Sequence, residues 1–240
     1  MIGSVLSEEA ALLTAIPLRI DPDEVVRFHA YRPGPAPPAA RYAEALAEAE
    51  RLMAPRLVYR AARVVAQEPD LIALADGTEF HIPDIHHHWG PIEALGVGLV
   101  TVGEGIEVRV RELEEAGEAL HAGLLESAGS AAVECLAEWA NDALCLAAIP
   151  EGLRVTNRIS PGYAGWALSE QPAFFRLCPG GPAGIALSSA GVMSPAKTIS
   201  FAVGIGPVAR VDHYFVQCRR CWAAGCPFRR AAATVTVGRA

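Results

Sequence analysis

Residues 96–102 (GVGLVTV) are an unbroken apolar run, and residues 104–148 after them carry helical periodicity. The run reads as a strand. Residues 104–125 read as a long amphipathic helix with Val108, Leu113, Leu120 and Leu124 turned inward. Residues 130–148, which include Val133, Leu136, Leu144 and Leu146, read as a second helix, separated from the first by Gly129. Together the two predict a helical hairpin.

Shorter elements flank this unit. Residues 23–31 follow the helix-start pair Asp21-Pro22 and predict one or two helical turns. The stretch 32–38 holds four prolines and a glycine and reads as an extended linker. Ala/Glu-rich residues 38–53 place Tyr42, Leu46, Ala49 and Met53 at helical spacing. Residues 57–65 read as a strand, and 71–74 with 78–82 as a β-hairpin around Asp76-Gly77. Further on, 169–177 predict a short helix, 178–184 a Gly/Pro loop, and 185–187, 198–205 and 213–217 strands. Hairpins and helices are segregated, which predicts an α+β fold: a single domain over 1–240, mainly antiparallel sheet, with a helical hairpin and flanking helices. The 1–19 leader and the 231–240 tail are expected to be peripheral.

Composition sets the class. A chain of 240 residues with 52% apolar content buries a core without staples and is not disordered. A net charge of −7 argues against nucleic-acid binding, which calls for a basic face. Residues 1–17 lack Arg or Lys before their apolar positions and do not read as a secretory signal. No apolar run approaches the roughly 20 residues that span a bilayer. A cytoplasmic protein with reduced or ligating cysteines is expected. The basic side is almost wholly arginine, the one lysine being Lys197.

Several local patterns carry chemistry. Cys218, Cys221 and Cys226, with arginines around them, can converge on a zinc ion or an iron–sulfur cluster. Cys178 or His213 is the candidate fourth ligand. His86, His87 and His88 are adjacent and point in different directions, so they read as solvated imidazoles at a helix start. Ser194 and Lys197 match S-x-x-K, but K-T-G lacks its glycine and S-D-N is absent, so no acyl-enzyme chemistry is assigned. Arg158-Ile-Ser-Pro-Gly-Tyr163 is a turn, because proline presets one dihedral and glycine tolerates positive φ.

Five stretches, in order, resemble a known family: IDPDEVVRFHAYR (20–32), APRLVYR (54–60), GSAAVECLAEW (129–139), RISPGYAGWALSEQ (158–171) and LSSAGVMSPAKTISFAVGIG (187–206). The chain is similar to the activation (reactivation) domain of cobalamin-dependent methionine synthase in its free-standing form. R-x-x-P-G-Y and M-x-P-x-K-x-I-S are the specific blocks, and the Cys-x2-Cys-x4-Cys tail resembles that of free-standing relatives.

The resemblance implies a protein that binds S-adenosylmethionine and supports reductive methylation of a cobalamin (vitamin B12) in methionine biosynthesis. The corrinoid would arrive on a partner methyltransferase such as methionine synthase, because the chain has no D-x-H-x-x-G signature. An electron donor such as flavodoxin or ferredoxin would reduce it. By motif, Arg158, Ser160, Gly162 and Tyr163 would contact the ligand, Arg158 through the methionyl carboxylate. Glu134 would take the α-amino group, with Glu138 one turn later as the other match, and Tyr214 would be a second ligand-side tyrosine. Two departures fall on the corrinoid side: Ser189 stands where the family has an acidic residue, and Ala164-Gly165-Trp166 replace an acidic/His/Thr stretch. A different class remains open, a zinc or iron–sulfur redox module that docks on a corrinoid protein through the cysteine tail.

Overall fold

The computed structural model describes residues 2–211 apart from 33, 35 and 164. In chain order the elements are β1 (Ala11–Leu13), α1 (Pro22–His29), α2 (Ala39–Leu52), β2 (Arg56–Gln67), β3 (Leu71–Leu74), β4 (Glu79–His81), α3 (Ile85–Trp89) and β5 (Ala94–Thr101). They continue with α4 (Gly105–Glu115), α5 (Ala119–Ala148), β6 (Arg154–Val155), α6 (Gln171–Leu177), β7 (Ala186–Leu187), β8 (Met193–Ser194) and β9 (Thr198–Gly206). The expected α+β class holds. One antiparallel sheet runs β4-β3-β2-β5-β9-β6, β1 adds to β2, and β7–β8 form a separate ribbon.

The sheet turns on β2. Its first part pairs with β5 from Arg56↔Thr101 to Arg63↔Ala94, and its end pairs with β3 after a register shift between Val64 and Ala66. Such a shift bends a strand and raises its local twist. On the far side of β5, β9 pairs residue for residue from Ala94↔Ile205 to Thr101↔Thr198.

Every residue of β5 is buried, so both faces of the sheet must be covered. Ala94 and Val100 join a core with α1, α2, α4 and α5. Leu95, Val97 and Leu99 face a second core, built with Phe80, Trp89, Trp166 and Phe174. Gly96 and Gly98 make room for rings on the helical side. A Cβ at Gly98 would lie 2.4 Å from Cζ of Phe201, and one at Gly96 would lie 2.7 Å from the Tyr59 hydroxyl.

Two expectations are corrected. The helical hairpin exists, but its turn lies at Gly117 and not at Gly129. Gly117 (φ 79°) ends α4: its N–H donates to the Glu114 carbonyl at 3.0 Å and the Glu118 N–H to the Leu113 carbonyl at 2.8 Å. These are the two bonds of a Schellman cap. Gly129 sits inside the 30-residue α5, where a Cβ would come within 2.9 Å of Ile106, so it marks a close approach and not a break. On these helices Leu113 and Leu124 are buried as expected, whereas Val108 and Leu120 are exposed.

The 1–19 leader is not peripheral. Val5, Ile16 and Leu18 are buried, β1 pairs with β2, and the Tyr59 hydroxyl donates to the Val5 carbonyl at 2.7 Å. The strand expected at 213–217 and the 231–240 tail lie outside the described residues.

α1 starts at Asp21, whose side chain accepts from the Asp23 N–H, and packs against α5 through buried His29. His29 Nδ1 lies 3.3 Å from Ser127 Oγ, and its ring meets Tyr42 edge-on. Burial holds this imidazole below its ordinary pKa of 6.5; Arg32 adds to the effect and a hydrogen bond with the Gly123 backbone opposes it.

Two predictions follow from the packing. Gly98→Ala should destabilise the fold by about 1–3 kcal/mol in urea denaturation through the clash with Phe201. Gly181→Ala, where a Cβ meets nothing within 4 Å, should stay within about 0.5 kcal/mol. For His29, the unfolded chain takes up a proton that the folded chain resists. Its contribution is therefore full above about pH 6.5 and is lost as pH falls toward its lower folded pKa. His29→Gln should flatten the stability profile between about pH 7 and 5 relative to the parent.

Candidate functional site

Arg158-to-Tyr163 follows β6, which pairs along the edge of β9. β6 pairs Val155↔Ile205, and contact resumes at the Ile159↔Ala202 bridge. Between these pairs the outer segment has three residues, 156–158, against two on β9, 203–204. The extra residue makes a bulge, which re-aims side chains and frees backbone groups. Thr156 closes part of the gap, its Oγ1 accepting the Gly204 N–H at 2.8 Å.

Asn141 on α5 closes the rest. Its Oδ1 accepts the Arg158 N–H at 3.0 Å, and its Nδ2 approaches the Thr156 carbonyl at 3.4 Å. One side-chain amide thus satisfies a donor and an acceptor that the bulge removes from the ladder. The Arg158 side chain then lies along α5, and its Nη2 donates to Glu134 Oε2 at 2.8 Å. Side-chain exposures of 14% for Arg158 and 26% for Glu134 leave this ion pair largely shielded yet reachable from solvent.

Beyond Arg158 the chain folds over the sheet edge. The Ser160 hydroxyl donates to the Ser200 carbonyl at 2.5 Å, anchoring the start of the turn on β9. Gly162 has φ 93°, and the Tyr163 N–H donates to the Ser160 carbonyl at 3.1 Å. Proline followed by a positive-φ residue is the pattern of a type II turn, in which a side chain at the Gly162 position would be strained. Tyr163 is 49% exposed at the apex. Below it, Gln171 at the start of α6 donates through Nε2 to Ser200 Oγ at 3.0 Å and to Met193 Sδ at 3.3 Å. These contacts tie the start of α6 to β9 and to the β7–β8 ribbon.

The structure thus brings Glu134, Arg158, Ser160, Gly162 and Tyr163 to one place. Glu134 faces Arg158, whereas Glu138 is exposed one turn on. Ser189 lies on the exposed turn of the β7–β8 ribbon. Tyr214, His213, Cys218, Cys221 and Cys226 fall outside the described residues. Among the described residues no group of three or more His, Cys, Asp or Glu is arranged to hold a metal ion. Cys178 is a core thiol: it is fully buried, its Sγ faces the Val58 carbonyl at 3.9 Å, and burial pushes it up to about 12.

The histidine run forms α3, where His88 Nε2 lies 3.1 Å from Asp84. Lys197 turns away from the S-x-x-K serine. Its Nζ donates to Glu126 at 2.5 Å and to Ser130 at 3.0 Å on α5, and its N–H donates to Glu107 at 3.1 Å.

Asn141 was not singled out from the sequence, although a signal was present. It follows Glu134 by seven residues, two helical turns, so both polar groups share a face of an Ala/Leu-rich helix. Gln171, Ser200 and Glu170 had no comparable signal. Asn141→Ala leaves a donor and an acceptor without their partner. It should cost about 1–3 kcal/mol in denaturant unfolding, and the Arg158 amide should lose its protection from hydrogen exchange.

No protein-family model matches the sequence, and no curated protein matches it. Among solved structures, the crystal structure of the MetH reactivation domain bound to AdoHcy matches with probability 1.00 and a TM-score of 0.62. The match covers 90% of this chain and 84% of that chain at 14% sequence identity. The strand order, the bulged approach to the turn and the long helix beneath it therefore belong to a chain with the fold of the MetH reactivation domain.

Proposed function

We propose that the chain binds S-adenosylmethionine and its product S-adenosylhomocysteine at the Arg158–Tyr163 turn, in support of cobalamin reactivation on a partner. The observation that carries this reading is the Glu134–Arg158 pair, 2.8 Å apart and partly exposed. An amino-acid zwitterion is the complement of such a pair. Its carboxylate takes the Arg158 fork and its ammonium takes Glu134, so both protein charges keep a partner when the ligand enters. The neighbouring Tyr163 ring offers a face to the adenine, and Gly162, having no side chain, lets the ligand approach the backbone.

S-adenosylmethionine supplies a methyl group already activated on a sulfonium. The residues of the turn need no general base for this chemistry; they hold the ligand so that its methyl faces the acceptor. The acceptor is proposed to be a cobalamin carried by a methyltransferase such as methionine synthase, with one electron delivered by a donor such as flavodoxin or ferredoxin. The cytoplasm is the proposed setting. Among the described residues no helix is long and apolar enough to cross a membrane. A zinc ion or iron–sulfur cluster at Cys218, Cys221 and Cys226 stays a separate proposal, readable from the metal content and colour of anaerobically purified protein.

Isothermal titration with S-adenosylhomocysteine tests the site. The parent should bind, and Arg158→Ala should weaken binding about 100-fold, the loss of charge-assisted bonds worth about 2.7 kcal/mol. Unchanged affinity in Arg158→Ala would remove the ligand from this turn.

A further inference from the structure

The apex of the turn is held from behind by a tryptophan that the ligand-contact motif does not include. Trp166 is 1% exposed, and its ring packs edge-on against Phe80 at 5.4 Å and beside Phe174 at 6.2 Å. Its backbone closes the loop at both ends. The Trp166 carbonyl accepts the Gly162 N–H at 2.8 Å, and the Trp166 N–H donates to the Tyr163 carbonyl at 2.9 Å. Gly162 and Tyr163 are thus bonded to the backbone of the residue whose ring is buried.

One carboxylate fixes the indole. Trp166 Nε1 donates to Glu170 Oε2 at 2.7 Å. Glu170 is itself held from the β3–β4 hairpin: the His81 N–H lies 3.2 Å from each of its oxygens, and His81 Nδ1 lies 3.3 Å from Oε1. With 18% of its side chain exposed, Glu170 is a shielded acceptor for convergent donors, and charge-assisted bonds of this kind are the stronger ones.

We propose that Glu170 is a positioning residue for the ligand turn: through Trp166 it holds Gly162 and Tyr163 in the conformation that receives the adenosyl ligand. The inference rests on the binding role proposed above. Two features make the tie more than packing. The ring is already seated by Phe80 and Phe174, so the indole–carboxylate bond chiefly sets its rotation and depth. The hairpin that anchors Glu170 belongs to the sheet, so the turn is referenced to a rigid element and not to a neighbouring loop.

Hydrogen exchange on the ligand-free protein reads the tie. In Glu170→Ala the Gly162 and Trp166 amides should exchange at least about tenfold faster, a loss of about 1.4 kcal/mol of local protection. The Thr156 and Ala202 amides, bonded to Gly204 and Ile159 across β9, should not change. Glu170→Gln should restore slow exchange, since its carbonyl oxygen can accept from both the indole and the His81 N–H while its amide faces the His81 ring nitrogen. Trp166→Phe, which keeps the ring contacts and loses the N–H, should reproduce Glu170→Ala and serves if that variant fails to fold.

Titration of the same variants with S-adenosylhomocysteine should show about tenfold weaker binding for Glu170→Ala and Trp166→Phe, with Glu170→Gln near the parent. Exchange that is unchanged in Glu170→Ala, or that rises equally at Thr156 and Ala202, overturns the positioning role. So does parental affinity in variants whose turn has loosened. A parent that fails to bind S-adenosylhomocysteine overturns the binding role instead, and the exchange result still reports whether the tie exists.

Discussion

A strand buried on both faces governs the rest of the molecule. β5 exposes none of its eight residues, so the chain must supply a cover for each side of the sheet. Four helices cover one side and the hairpin, α3, α6 and Trp166 cover the other. The Arg158–Tyr163 turn is where the two covers meet. It leaves the edge beyond β9, reaches α5 through Arg158 and Asn141, and reaches the opposite core through Trp166. Neither core alone would place Arg158 and Tyr163 on the same short turn.

The two charges at the turn are arranged to balance each other. A lone guanidinium or a lone carboxylate, shielded as these are, would be costly. Opposed to each other, Glu134 and Arg158 satisfy one another, which is the arrangement that the proposed zwitterionic ligand would exchange into. Asn141 contributes at a different level. It pairs with the backbone of the bulge, so the direction of Arg158 is set before its side chain meets anything.

Much of this was legible in the residues. The apolar run at 96–102, the Asp76-Gly77 hairpin and the Ala/Glu-rich second helix each have a local cause, and each appears where its pattern places it. Gly129 misled because a glycine within a helical pattern has two physical meanings, a cap or a close approach, and only the neighbour distinguishes them; here it is Ile106. The cap lies at Gly117, where positive φ and two backbone bonds end α4. The leader misled for a related reason: its buried residues, Val5, Ile16 and Leu18, are spaced without a period, and only the assembled core gives them a surface to cover. At the site, Arg158 and Gly162 were visible because turn chemistry is local. Asn141 and Gln171 were harder to read, because their partners lie 17 and 29 residues away, and although Glu170 bonds to nearby Trp166, the hairpin residue that holds it lies 89 residues away.

One feature bears on composition in a way that sequence bias alone does not. In a chain whose other basic residues are all arginine, the single lysine lies against the one glycine inside the buried stretch of α5 that faces it. A Cβ at Gly129 would stand 3.1 Å from Cε of Lys197, so the glycine lets the lysine stem pack closely against α5. A planar guanidinium is wider than an ammonium and needs its own plane of acceptors. Glu126 and Ser130, one helical turn apart, instead offer two acceptors to a point charge. Glu134 is the next residue in that series, so the lysine contact ties to β9 the same face of α5 that carries the carboxylate at the turn.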